Sequence, residues 1–169
     1  KCIKFVSDEL NNLLWDIEAE EFILDKGGKP QLPKWLSKPF IIGDTKYKVG
    51  LGGLHSQEKK LVVIADENHV MKTDDVGSYY TSMIIEYNYS PKLFGKYFQE
   101  VYGDCYWDVN DPVTGSKVRG DKVESESGKL TLNGVFGKFG SRWSKIYAPD
   151  LMLQTTLTGQ LLLLMAIEQ

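Results

Sequence analysis

Cysteine, histidine and proline are all scarce in this chain: two, two and six among 169 residues. Cys2 and Cys105 have no C-x-x-C spacing, which excludes a zinc ribbon or a disulfide framework and points to a reducing, cytoplasmic setting. His55 and His69 lack partners at metal spacing, so both are expected to be structural or exposed. Long apolar runs are also missing. The stretch Leu161–Ile167 is far shorter than the ~20 residues that cross a bilayer, and no signal peptide is recognisable, so no membrane partner is expected. There is no internal repeat and no low-complexity tract. A 42% hydrophobic and 12% aromatic content supports a core and excludes disorder, and the length fits one domain of ordinary size.

Net charge is −3, with a pI near 5.5. That average hides an asymmetry. From Gly115 to Tyr147 seven basic residues face three acids, a surplus of four. The compensating acids are in the N-terminal segment, at Asp8, Glu9, Asp16, Glu18, Glu20, Glu21 and Asp25. A basic segment in an acidic chain suits a polyanionic partner, although a solvated charged helix pair gives the same count.

Hydrophobic periodicity predicts an α+β fold. Ser7 or Asp8 can cap a helix with Leu10, Leu13, Leu14, Ile17 and Leu24 at helical spacing, ended by Gly27-Gly28. Strands are expected at Phe40–Ile42, Thr45–Val49, Leu61–Ala65 and Val70–Asp75, with turns at Gly50–Gly53 and Asp66–Asn68. Helices follow from Ser78 to about Tyr87 and from Pro91 to about Tyr102, then a turn over Asp104–Gly120. A helix over Asp121–Phe136 is expected to break at Gly137–Gly140, and Pro149 starts the last one, Asp150–Gln169.

Two segments carry the chemistry. Asp75-Val76-Gly77-Ser78-Tyr79-Tyr80-Thr81-Ser82 runs an acid into a helix start. About fifty residues on, Lys129, Asn133, Phe136 and Gly137 share one helical stripe at i, i+4, i+7 and i+8: a cation, an amide and an aromatic ring. In order and spacing the pair resembles motifs A (D-x-x-S-L-Y-P-S) and B (K-x-x-x-N-S-x-Y-G) of family B DNA polymerases. The run Leu-Asn-Gly-x-Phe-Gly-Lys-Phe is most similar to phage-type members. Tyr79 stands for Leu, Thr81 for Pro, Gly134 for Ser and Phe136 for Tyr.

The resemblance implies a partial palm, a mixed or antiparallel sheet with helices, and a short helical fingers excursion. On that scheme residues 1–45 are unassigned, 46–90 are palm, 91–138 fingers and 139–169 a returning palm helix. The third motif, Y-x-D-T-D-S, with the second metal-binding carboxylate, is absent, and the first residue is Lys1. A piece of a larger enzyme, inactive alone, is therefore expected.

The resemblance also implies roles. Asp75 would be catalytic, holding Mg²⁺ with the Val76 carbonyl, in a two-ion mechanism acting on deoxynucleoside triphosphates and primer–template DNA. Ser78 and Tyr79 would offer backbone amides to phosphate, and Tyr80 would exclude a 2′-hydroxyl by collision. Lys129, seconded by Lys122 and more weakly by Arg119, would contact the triphosphate, with Asn133 beside it. Phe136, Gly137 and Lys138 would meet DNA, with Gly134 keeping the surface low. Gly52 and Gly53, in Gly50-Leu51-Gly52-Gly53, resemble the Y-x-G-G turn that contacts template in protein-primed members. Plainer readings stand beside these: Asp75 as a helix cap, Tyr80 as core, the lysines as a solvated helix face, Gly50–Gly53 as an ordinary turn. A non-catalytic nucleic-acid-binding module on the same scaffold is the rival. Ser127-Gly128-Lys129 is no P-loop, because Val123 and Leu130 occupy its required Gly and Ser/Thr positions. Asp16-Ile17-Glu18 is taken as helix surface rather than an exonuclease D-x-E.

Overall fold

Ser7 starts the first helix, its hydroxyl accepting the Leu10 N–H at 3.4 Å. Helix α1, Asp8–Ala19, places Asp8 and Glu9 where the helix dipole favours acids, and buries Leu10 and Ile17 seven residues apart. Asp16 and Glu18 lie on its exposed surface. These observations come from a computed structural model describing residues 3–57, 62, 64–73 and 75–169. The helix stops at Ala19, short of the expected Leu24. Beyond it the backbone is engaged in a local hairpin: Gln31 donates to the Ile23 carbonyl at 2.9 Å and Asp25 to that of Lys29 at 2.8 Å. The Asp25 carboxylate accepts the Gly27 and Lys29 N–H groups, mainly the latter, which holds its pKa below the usual range.

Strands β1, Phe40–Ile42, and β2, Thr45–Val49, lie where the pattern puts them, and β3, Leu54–Ser56, is an addition. The antiparallel order is β1-β2-β3, with Phe40 opposite Tyr47 and Tyr47 opposite Ser56. Two strand expectations are corrected. Leu61 and Val63 lie outside the described residues, while Val62, Ile64 and Ala65 belong to no strand. Val70–Thr73 and Asp75 are also outside any strand, Asp74 being undescribed. Val70 is 92% exposed, and a lone extended segment has no ladder to satisfy its backbone; among the described residues no strand pairs with it.

The helical part comprises α2, Tyr79–Glu86; α3, Lys96–Asn110; α4, Ser116–Arg119; α5, Lys122–Phe139; and α6, Pro149–Glu168. The turn expected over Asp104–Gly120 is helix up to Asn110. Tyr102, Cys105, Tyr106 and Val109 follow the i, i+3, i+4, i+7 stripe that α3 turns inward, and the acids Asp104 and Asp108 mark only its wet face. Helix α5 also continues past Gly137, because fully buried Phe139 anchors its last turn.

Two apolar clusters share α6. One joins α1 and the sheet to Leu153, Leu157, Leu161 and Leu164; the other gathers Ile84, Tyr102, Val109, Leu132 and Phe139 against Ala148 and Leu151. Helix α6 is long and apolar enough to cross a membrane by length and composition, yet half of its apolar window is buried in the protein. At Gly159 it nearly touches α2: a Cβ there would come within 2.9 Å of Met83 Cε and 3.2 Å of Tyr79 Cε1. At the next residue, buried Gln160 grips the β2–β3 turn, accepting the Gly50 N–H at 2.9 Å and donating to the Gly50 carbonyl at 2.8 Å. The sheet turn and the start of α2 are thus both fixed to one helix.

Candidate active site

Ser78 is the N-cap of α2, but its side chain does not cap. Its backbone is left-handed (φ 54°, ψ 40°), a conformation costly for a residue with a Cβ. Its hydroxyl instead donates to Asn110 Oδ1 at 2.9 Å and accepts from Lys117 Nζ at 2.8 Å. Lys117 also donates to Asn110 Oδ1, and the Asn110 amide is oriented by donating to the Tyr106 carbonyl at 2.9 Å. The first-turn N–H groups of α2 are left without a side-chain cap beside an ammonium group.

Ser78 and Lys117, held from behind by Asn110, line a cleft of about 360 Å³ together with Asp75, Gly77, Thr81, Lys129, Leu132 and Asn133. Residues from the two segments about fifty positions apart therefore meet. Asp75 is exposed at the cleft and is not the N-cap, so the helix-cap alternative does not hold; among the described residues no hydrogen bond or ion pair engages its carboxylate. Lys129 donates to Glu126 Oε1 at 2.9 Å, one turn back on α5. Such an exposed pair is weak and readily exchanged for a phosphate oxygen. Partial burial, and then the facing Lys129, lower the Lys117 pKa. With Glu126 on Lys129 the charges at the cleft balance, and a phosphate oxygen that displaces Glu126 finds two cations, Lys117 and Lys129, against Asp75.

A second group adjoins it. The Tyr80 ring stacks on Phe136 with centroids 4.9 Å apart and planes at 21°, and its hydroxyl donates to the Gly52 carbonyl at 2.8 Å. A Cβ at Gly53 would lie 3.7 Å from that hydroxyl. Tyr80, Phe136, Gly52 and Gly53 therefore form one cluster between the β2–β3 turn and α5, outside the walls of the Asp75 cleft. Gly134 and Gly137 face open space: a Cβ on either would meet nothing within 4 Å. The fold itself does not require glycine at those two helical positions, where each costs ~1 kcal/mol relative to alanine.

Other expectations are not brought together. Lys122 begins α5, exposed and two turns from Lys129, and does not line the cleft; Lys138 is exposed at the far end. Arg119 donates to the Thr114 carbonyl and pairs with Glu124. The Tyr79 side chain turns away, donating to the Gly159 carbonyl at 2.6 Å, and burial followed by the neighbouring Tyr80 pushes its pKa up to about 12. The Val76 side chain lines a separate depression with Tyr79 and Met83. Lys117 and Asn110 are the site residues that the sequence reading did not single out. Nothing in the pattern ranks Lys117 above its basic neighbours, and Asn110 falls in an Asn-Asp-Pro stretch that reads as a turn.

Among the described residues no three His, Cys, Asp or Glu side chains converge, so Asp75 is the cleft's one carboxylate. One carboxylate with a neighbouring carbonyl fits a Mg²⁺ ion that keeps its waters and shares substrate phosphates; it does not make an all-protein cage. Comparison with known proteins finds no matching family model, no matching curated protein and no matching solved structure.

Proposed function

We propose that the chain carries the nucleotide-binding part of a family B, phage-type DNA polymerase, which adds deoxynucleoside triphosphates to a primer 3′-end on template DNA. The observation that carries this is the meeting of Asp75, Ser78, Lys129 and Asn133 in one cleft, with Lys117 added from α4. Lys117 and Lys129 hold phosphate oxygens as charge-assisted donors, and the uncapped first turn of α2 offers N–H groups to the same anion. Asn133 lies beside them as an amide for the nucleotide. The Tyr80–Phe136 stack stands next to the cleft, where a ring at the sugar edge would reject ribose by collision. Asp75, with the Val76 carbonyl, would hold Mg²⁺. Bound Mg²⁺ supplies charge neutralisation at the transferring phosphoryl group. The cytosol, which keeps the Cys105 thiol reduced, is the compartment assigned.

Primer extension by the complete polymerase tests this. Asp75→Ala should abolish synthesis with the fold intact, since the residue is exposed; synthesis at the wild-type rate would refute the assignment. A second reading, a nucleic-acid-binding module without catalysis, is favoured by the cleft's single carboxylate among the described residues. It predicts that no form of the protein extends a primer.

A further inference from the structure

Between Ser127 and Pro149 the sequence has no acid and four cations, Lys129, Lys138, Arg142 and Lys145. At the centre of the loop joining α5 to α6 is Trp143, 84% exposed. A soluble fold ordinarily covers so large an apolar ring, so its exposure is the informative feature. The Arg142 guanidinium is 4.8 Å from the ring centroid. The cation covers one face of the indole and leaves the other in solvent.

The loop is not slack. The Tyr147 hydroxyl donates to the Gly28 carbonyl, half-buried Ile146 packs on the α3–α5 cluster, and Ser144 N–H bonds the Ser141 carbonyl at 2.8 Å. Gly28, at φ 78°, sits so close that a Cβ would lie 2.6 Å from the Tyr147 hydroxyl oxygen and 3.7 Å from Arg142 Cβ. The turn holding Gly28 adds exposed Lys26 and Lys29 against one carboxylate, Asp25, which leaves that turn with a surplus of one cation. The result is an indole held out on a braced loop, cation-backed and set in a positive surface.

We propose that Trp143, backed by Arg142, is a stacking platform for an unpaired base of a single nucleic-acid strand. Every base has a π-face, so stacking is tolerant of sequence, and the surrounding cations meet the phosphates. An apolar protein partner would gain nothing from the cationic rim. The proposal rests on the reading that the partner is nucleic acid, but it uses a surface apart from the cleft. From Lys129 to Phe139 helix α5 rises roughly 15 Å, and Trp143 follows four residues beyond its end.

The test uses this chain as it is, with a fluorescently labelled oligothymidylate of roughly 12 nucleotides followed by anisotropy at low salt, and a base-free strand of equal length as control. Trp143→Ala should weaken oligothymidylate binding at least about tenfold, while Trp143→Phe stays within about threefold of wild type. The base-free strand should bind more weakly and ignore Trp143→Ala. The substitutions are at an exposed position, and circular dichroism checks the fold. The platform is overturned if the wild type does not bind, if Trp143→Ala binds like wild type, or if both strands bind alike. It is equally overturned if Trp143→Ala changes only concentration-dependent self-association, which would make this face a contact between copies. Triphosphate titration of the wild type reads the cleft separately. Oligonucleotide binding without triphosphate binding refutes the polymerase reading alone, and the reverse refutes the platform alone.

Discussion

Replacing Gln160 by Leu should loosen the turn that the candidate site leans on. The side chain is 2% exposed and makes three hydrogen bonds, two with Gly50 at 2.9 and 2.8 Å and one to the Thr156 carbonyl at 3.1 Å. Leucine fills nearly the same volume, so no large cavity forms, and the loss is mainly in the polar groups left behind. The Gly50 N–H keeps a partner, the Gly53 carbonyl at 3.0 Å, whereas no other hydrogen bond to the Gly50 carbonyl is seen among the described residues. One stranded acceptor, together with two lost bonds of ordinary strength, costs about 2–3 kcal/mol. For a chain of this size that lowers Tm by roughly 4–12 °C. Differential scanning calorimetry reads the shift. Because the turn carries the Gly52 carbonyl that orients Tyr80, fast hydrogen exchange at residues 50–54 should accompany it. A Tm within 1 °C of wild type, with exchange unchanged, would refute the view that α6 fixes the turn through this amide.

Glu168 ties the chain's two ends, its carboxylate accepting the Val6 N–H at 2.6 Å and the Ser7 N–H at 2.7 Å. Its pKa is depressed, chiefly by hydrogen bonding from Ser7, so its contribution is present above the ordinary glutamate pKa and is lost as pH falls through the depressed value. Glu168→Gln should therefore destabilise at pH 7 and converge with wild type in acid; parallel stability–pH curves would contradict it. Tyr80→Ala should lower Tm by roughly 4 °C through loss of the stacked ring, whereas Tyr80→Phe, which keeps the ring, should change it little. On the proposed polymerase reading, Tyr80→Ala should also raise ribonucleotide use relative to deoxyribonucleotide use in primer extension, and an equal loss towards both sugars would favour a packing role.

The elements legible in the sequence are those whose pattern is local. The stripe of α1, strands β1 and β2, and the Pro149 start of α6 follow from spacing and punctuation alone. The length of α3 was hidden because Asn-Asp-Pro and Thr-Gly-Ser mark a turn, which begins only after Asn110 and not at Asp104. Strand β3 is Leu-His-Ser, with no β-branched residue, and exists because the β2–β3 turn, held by Gln160 from across the molecule, presents it to β2. Strand formation at Val70–Asp75 needs a partner that the pattern cannot supply. Within the candidate site, Asp75, Ser78, Lys129 and Asn133 were named from the sequence, and the fold brings these four to one cleft. Lys117 and Asn110 were not, since only the packing of α3 and α4 beside α2 makes them neighbours of Ser78.

The central claim is that Asp75, Lys117 and Lys129 form one site for a Mg²⁺-bound triphosphate. Its most direct test is the affinity of the purified chain for a deoxynucleoside triphosphate, measured by titration calorimetry with and without Mg²⁺. Wild type should bind more tightly with Mg²⁺; Asp75→Asn should retain the metal-free affinity and lose the Mg²⁺-dependent gain; Lys129→Ala should weaken binding by about 1.5–3 kcal/mol, or roughly 10- to 150-fold. Mg²⁺-dependent tightening that survives Asp75→Asn, or Lys129→Ala binding at wild-type strength, would contradict the account.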